Sequence, residues 1–308
     1  MASYYVSWDT GNDGNAGTSA GSPFKTVDKG LSVLATNDTL YIEASTTAYT
    51  WTNRTIPAGV SIIGSVKPNP VNGSYVKISA AGASVYWYFL GSYTLQNLWL
   101  DNVINTAYNG IIYLNRSATG VIVANYTDCI ISNLAGASST AGRGGILNGG
   151  GAVSSYTATS ITFNITNCLF KNIESYNSAS AGCLFIQNPG TAFTFNLNGC
   201  TWYQGTPTRY ALDAIVGDYA SNLSTVNIKN MAIVNNSGQN LTIHGAYGAA
   251  DINQWYSYDI NGSTYTNIVT TNGNITNSTN ADAMYLDPAT NDFRLKPTSP
   301  AIDRGVII

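Results

Sequence analysis

The chain has 308 residues, a formal net charge of −3 and a pI near 4.9; 9% of it is charged, against about 25% in ordinary globular chains. Lysine and arginine form no run, which excludes a nucleic-acid surface built on phosphate contacts. The absence of an apolar stretch of about 20 residues excludes a transmembrane helix. With 44% hydrophobic and 11% aromatic residues, disorder is a poor fit, and a long β-structure with a polar, weakly charged surface fits better.

In chain order, Tyr4 to Asp28 reads as a strand, a Gly/Asn-rich loop and a helix start. Phe24 to Leu34 has the spacing of a short amphipathic helix, suited to covering the open end of a repeat fold. Met1-Ala-Ser-Tyr-Tyr-Val lacks a basic region followed by an apolar one, so no signal peptide is expected. The expected location is extracellular or on a virion surface, reached either with a signal since cut away or by another route such as lysis of an infected host. The loop Asp9-Thr-Gly-Asn-Asp13 has some flavour of a Ca2+ loop. It matches no complete metal-binding pattern, so neither a metal nor a cofactor is expected. Thr39–Ile42 and Val60–Gly64 open the coils.

From residue 97 onward five segments share one frame: Asn97 to Asn102, Asp128 to Asn133, Asn167 to Asn172, Gly199 to Gln204 and Asn230 to Asn235. Each carries an apolar residue at its second place (Leu98, Cys129, Cys168, Cys200, Met231) and another two places on (Leu100, Ile131, Phe170, Trp202, Ile233). An amide closes each one. The spacings are 31, 39, 32 and 31 residues, the range of solenoids and arrays. A second strand is expected at Val85–Phe89, Gly110–Leu114, Gly145–Asn148, Cys183–Ile186 and Ala214–Gly217. A third is expected at Thr119–Ala124, Ser160–Ile165, Ala192–Leu197 and Ser224–Ile228. Three short strands per repeat predict an all-β, single-stranded, right-handed parallel β-helix, with a short N-terminal helical cap and an irregular C-terminal tail. The predicted boundaries are 1–58 for the cap and first coil, 59–251 for the β-helix and 252–308 for the C-terminal coil and tail, one structural domain overall.

The frame assigns side chains. Cys129, Cys168 and Cys200 share one place, which predicts a reduced column in the core rather than disulfides; Cys183 is expected to behave alike. The closing amides predict an asparagine ladder, because Asn tolerates left-handed backbone and bonds along a stack.

The run from Tyr4 to Val27, with its opening aromatic strand, Gly/Asp loop and Pro23-Phe-Lys-Thr26, resembles the N-terminal entry of pectate-lyase-like right-handed parallel β-helix proteins. Asp38-Thr-Leu-Tyr-Ile42 and Gly59-Val-Ser-Ile-Ile-Gly64 are similar to the strands that follow in that superfamily, and Asp292 to Gly305 resembles its closing segment. The resemblance implies the fold; the superfamily spans lyases, glycosidases, tailspikes, adhesins and inert surface proteins. Lyases of this kind, so the resemblance implies, use clustered Asp residues on Ca2+ with a Lys or Arg base. Between residues 80 and 250 the acids are only Asp101, Asp128, Glu174, Asp213 and Asp218, and no two are adjacent. Asp101 and Lys171 share the place before the closing amide, with Ser132 between, and form no calcium cluster. A glycosidase needs two carboxylates within about 10 Å; Glu174, Asp213 and Asp218 are the catalytic candidates on that ground, and solvated loop acids are the plainer reading. His244 has no evident triad partner.

Two surface features remain. Tyr86, Tyr88 and Tyr203 are candidate carbohydrate-binding residues, since aromatic faces stack on sugars. Trp99, Ile130 and Leu169 point outward in the frame and form an apolar stripe that needs a cover. A neighbouring subunit, a loop or the tail from Ile252 can supply it, and a homotrimer or other repeating assembly is expected. The function expected first is a non-catalytic structural or attachment protein, of tail-fibre type, with polysaccharide as an expected contact. A tailspike-like polysaccharide lyase or glycosidase and a carbohydrate-binding adhesin are the alternatives.

Overall fold

The computed structural model describes residues 1–50, 52–69, 73, 75–80, 85–101, 104–105, 112–115, 117–136, 147–148, 157–174, 184–185, 192–204, 215–216, 224–235, 242–244, 250–259, 264–266, 268–272, 275–277, 285–287 and 292–298. Cys183, Asp213 and Asp218 lie outside the described residues. For Glu174, Gln204 and His244 the backbone is described.

The strands stack in parallel and in register. An 18-stranded parallel sheet runs from Ser3–Val6 to Ile275–Asn277, and an eight-stranded parallel sheet holds the short strands from Arg54–Ile56 to Thr264–Thr266. This is a parallel β-helix. The five frame segments superpose as read from the sequence: Trp99 pairs Ile130, Ile130 pairs Leu169, Leu169 pairs Thr201 and Thr201 pairs Ala232. The second strands also fall where expected, at Trp87–Phe89, Ile112–Leu114, Leu147–Asn148, Leu184–Phe185 and Ile215–Val216. Stacking continues through Ala250–Asp259 and Ile268–Asn272, and in the tail Tyr285–Asp287 and Asp292–Leu295 pair antiparallel.

Left-handed residues bend the middle coils, two each in the coils of Asp128 and Asn167. Asn97, Asp128, Asn167 and Gly199 open the frame with φ of 57°, 53°, 53° and 64°, and Asn133 and Asn172 close it at 53° and 50°. The closing residues behave as expected of Asn; the left-handed opening residue is a feature the frame reading did not extract. Gly199 has a second reason to lack a side chain, because a Cβ there would come 2.5 Å from the Asn167 Oδ1. The expected amide ladder is present between Asn172, whose Nδ2 donates to Asn133 Oδ1 over 3.2 Å, and Asn133, whose Nδ2 donates to Asp101 Oδ1 over 2.8 Å.

The interior is a set of columns. Phe163 stacks on Phe195 with centroids 5.0 Å apart, and Phe170 on Trp202 at 5.3 Å. Tyr93 and Tyr126 share a buried hydroxyl–hydroxyl hydrogen bond of 2.5 Å, so burying two polar tips leaves neither orphaned. Cys129, Cys168 and Cys200 are free thiols, buried one above the next. Burial pushes the Cys200 thiol up to about 12 and the Cys168 thiol well above its usual value. Both are therefore inert, since the thiolate is the reactive form.

The N-terminal end is sealed. The helix Val27–Ser32 is capped by Thr26, whose hydroxyl accepts from the Lys29 N–H, and it buries Val27 and Leu31. Asp28 on this helix takes a bidentate Arg54 contact of 2.8 and 2.5 Å and a Thr52 hydroxyl. Burial alone would raise the Asp28 carboxyl, but Arg54 and Thr52 more than offset it and hold it below the usual range. Asp13, in the loop with calcium-like spacing, spends its carboxylate on the Lys25 and Thr26 N–H groups and the Thr26 hydroxyl. These bonds tie the loop to the start of the helix.

Two outcomes follow from this core. Phe163→Ala should lower stability by about 3–5 kcal/mol, read as a shifted midpoint in denaturant unfolding. A thiol reagent such as Ellman's should label Cys129, Cys168 and Cys200 only after unfolding; labelling in the native protein would show the column to be open.

Candidate functional site

The outward side of the frame strands carries a buried polar cluster. Alternation places Ser79, Asp101, Ser132, Lys171 and Tyr203 in one column, each paired in register with the next. Asp101 is 5% exposed. Its Oδ2 lies 2.7 Å from Lys77 Nζ, and its Oδ1 accepts the Ser132 hydroxyl at 2.6 Å and the Asn133 amide at 2.8 Å. Ser132 in turn accepts the Trp99 indole N–H at 2.7 Å. The carboxylate is thus held by three donors from neighbouring coils.

Lys171 is 8% exposed. Burial lowers its proton affinity, and the charges of Asp101 and Asp287 work against that effect without cancelling it. Its ammonium sits 5.8 Å from the centre of the Tyr203 ring. Asp287 belongs to the C-terminal antiparallel pair, so the cluster is closed by a segment far along the chain. In the same pair Tyr285 is buried and hydrogen-bonded to the side chain of Thr201.

That closure changes the meaning of the apolar stripe. Trp99 and Ile130 are 5% and 8% exposed and Leu169 is half-buried. The Tyr75 ring lies 4.8 Å from the Trp99 ring, and the Lys77 ammonium 4.5 Å from its centre. Tyr285 takes the place over Thr201. The stripe points outward as the frame requires, and residues of the same chain roof it over. Tyr203 is buried with it and has no open aromatic face to offer.

Tyr86 and Tyr88 lie elsewhere, on the outer side of the short-strand sheet, both partly exposed. Tyr113 pairs in register with Tyr88 and its ring meets Tyr86 edge-on at 5.6 Å. The Tyr88 hydroxyl donates to Asn115 Oδ1 at 2.8 Å. Sequence reading singled out Tyr86 and Tyr88 and missed Tyr113, although Tyr113 stands between apolar Ile112 and Leu114 as Tyr88 stands between Trp87 and Phe89. Of the catalytic candidates, Glu174 falls on the strand Leu169–Glu174, its backbone paired through Ala135, and Asp213 and Asp218 lie outside the described residues. Among the described residues no group of three or more His, Cys, Asp or Glu side chains could hold a metal ion.

The strand pairing defines the chain as a parallel β-helix protein. No family model and no curated protein matches it. Among solved structures it is similar to a rhamnogalacturonan lyase, at 11% identity over 97% of this chain and 96% of that one, with a TM-score of 0.46. It is also similar to pectate lyase Pel9A, at 11% identity over 100% and 92%, with a TM-score of 0.37. The fold itself rests on the strand register above.

The buried lysine sets a pH dependence. Its affinity for a proton is lower folded than unfolded, so between the two values the unfolded chain binds more protons and stability rises with pH. Lys171→Met removes the buried charge, and Asp101 keeps Lys77, Ser132 and Asn133. The variant should be more stable at neutral pH by about 1 kcal/mol. That advantage should shrink as pH climbs toward the ordinary lysine range, in paired melting curves across pH. A constant or growing difference would contradict the assignment.

Proposed function

We propose that this chain is a non-catalytic structural or attachment protein, extracellular or virion-borne, whose useful property is a stiff rod. The observation that supports this reading is the register. Like residues stack on like residues inside (the thiols, Phe163 on Phe195, Phe170 on Trp202) and outside (the amides). The ion pairs tie coil to coil in the same way: Arg54 to Asp28, Lys67 to Asp128, Lys77 to Asp101. Charge spent on cohesion is charge withdrawn from chemistry. Glycan contact, where it occurs, is assigned to Tyr86, Tyr88 and Tyr113 on the short-strand sheet. Association as a trimer belongs to the same reading and needs a surface other than the Trp99 stripe; sedimentation of a lone monomer would remove it.

A second reading, a polysaccharide lyase, has one observation in its favour. Lys171 is an amine with lowered proton affinity standing in a column with Asp101 and Tyr203, and an eliminating enzyme needs a base tuned toward neutrality. A panel of neutral and acidic polysaccharides, assayed for new reducing ends and for unsaturated products, separates the two. The expected result is no product above the blank. Turnover that is lost in Lys171→Met, Glu174→Gln or Asp213→Asn would replace the structural reading with an enzymatic one.

A further inference from the structure

Twelve Asn-x-Ser/Thr sequences occur along the chain, each a formal acceptor for an N-linked glycan. The fold sorts those it describes. Asn125-Tyr-Thr127 and Asn164-Ile-Thr166 lie inside strands of the long-strand sheet. Their amides belong to an outer ladder. Asn196 Nδ2 donates to Asn164 Oδ1 at 2.8 Å, Asn164 Nδ2 to Asn125 Oδ1 at 3.0 Å, and Asn125 Nδ2 to Thr94 Oγ1 at 3.3 Å. The nitrogen that would carry a sugar is already engaged there. Asn37-Asp-Thr39 is bent at a left-handed Asn37, with φ of 66°. Its amide oxygen lies so close to Gly59 that a Cβ there would come within 1.9 Å. Asn115 is half-buried, and its Oδ1 accepts both the Tyr88 hydroxyl at 2.8 Å and the Ser117 N–H at 3.0 Å.

Asn53-Arg-Thr55 differs from these. Asn53 and Thr55 are exposed, while Arg54 between them turns to Asp28. The Asn53 Oδ1 accepts the Tyr86 N–H at 2.7 Å. That bond holds the amide in place and leaves its Nδ2 without a partner among the described residues. The same bond sets Asn53 beside the tyrosines. Thr55, Tyr88 and Tyr113 are register partners in successive coils, and Asn53 and Tyr86 stand two residues before Thr55 and Tyr88. With coils about 4.8 Å apart and alternate residues on one strand about 6.6 Å apart, Tyr86 and Tyr88 lie within reach of the first sugars of a chain attached to Asn53.

We propose that Asn53 is an N-glycosylation site, and that Tyr86, Tyr88 and Tyr113 seat the first sugars of the glycan it carries. The step is a group transfer from a lipid-pyrophosphate-linked oligosaccharide. Asn53 Nδ2 forms a bond to the anomeric carbon, the bond from that carbon to the pyrophosphate oxygen breaks, lipid pyrophosphate leaves, and the amide gives up one proton. Thr55 supplies the hydroxyl that completes the acceptor sequence. The apolar faces of the sugars then cover aromatic rings. A tethered glycan meets those rings at high effective concentration, so weak stacking is enough. The inference rests on the extracellular reading and on the glycan contact assigned above to these tyrosines, and it makes that glycan the chain's own.

The test uses the full chain made in two ways: secreted behind an added signal peptide from a eukaryotic cell with an N-glycosylation pathway, and unmodified from a bacterial cytoplasm. Peptide mass spectrometry of the secreted protein should find Asn53 occupied in most molecules, and Asn125 and Asn164 in few. Thr55→Ala should abolish the occupancy of Asn53, and Thr55→Ser should retain it. The secreted form should melt a few degrees above the unmodified form, and Tyr86→Ala should shrink that difference about twofold or more. Secreted protein with Asn53 bare overturns the proposal, and so does a melting difference that Tyr86→Ala leaves unchanged. Glycan arrays separate this inference from the reading it rests on. If the secreted form binds free glycans as well as the unmodified form does, and Tyr86→Ala abolishes both, the tyrosines remain a glycan contact and the proposal fails. If neither form binds a free glycan while Asn53 is occupied and coupled to Tyr86, the proposal stands and the contact with foreign glycans falls.

Discussion

Among the described residues the coils hydrogen-bond to their neighbours in register, save for shifts at Gly120/Val121 and Asp251/Asn253, and that single constraint organises the molecule. In-register parallel pairing sets each side chain directly against its counterpart about 4.8 Å away. A residue is admissible where it is compatible with copies or near-copies of itself. Flat rings satisfy this by stacking, as Phe163 and Phe195 do; amides by donating one way and accepting the other; thiols by being small and apolar when protonated. Like charges do not satisfy it. That is a physical reason for a composition with 9% charged residues, and for charges that occur where an opposite charge or a ring lies on an adjoining coil, as with Lys77, Asp101 and Trp99.

The same constraint explains what could be read from the amino-acid order. The Cys column, the closing amides and the three-strand repeat are near-copies at a nearly constant spacing, so aligning the chain with itself recovers them. The outer ladder was equally legible: Asn125, Asn164 and Asn196 each stand four residues before a column cysteine. Alignment on the frame segments alone passed over it. The left-handed opening residues were disguised by variety, since Asn, Asp and Gly all serve there.

What the repeat does not contain is not legible from the repeat. The covering of Trp99 and Thr201 comes from Tyr75, Lys77 and Tyr285, and neither Tyr285 nor Asp287 belongs to any repeated unit. A pairing between a column and a distant hairpin leaves no periodic trace. Asp287 of that antiparallel pair acts on the Lys171 charge, so this part of the lysine's surroundings was invisible too.

The direction of the hydrogen bonds has a mechanical consequence. They run along the rod, so a pull on its two ends loads them one coil at a time, as a zipper opens, and not all together in shear. Bending and compression instead press stacked rings and amides against one another. Such a rod is better suited to standing off a surface than to bearing tension. The Asp28–Arg54 clasp and the hydrogen bonds that the Ala2 and Ala35 N–H groups donate to the Asp38 carboxylate lie at the end where unzipping from the N-terminus would begin.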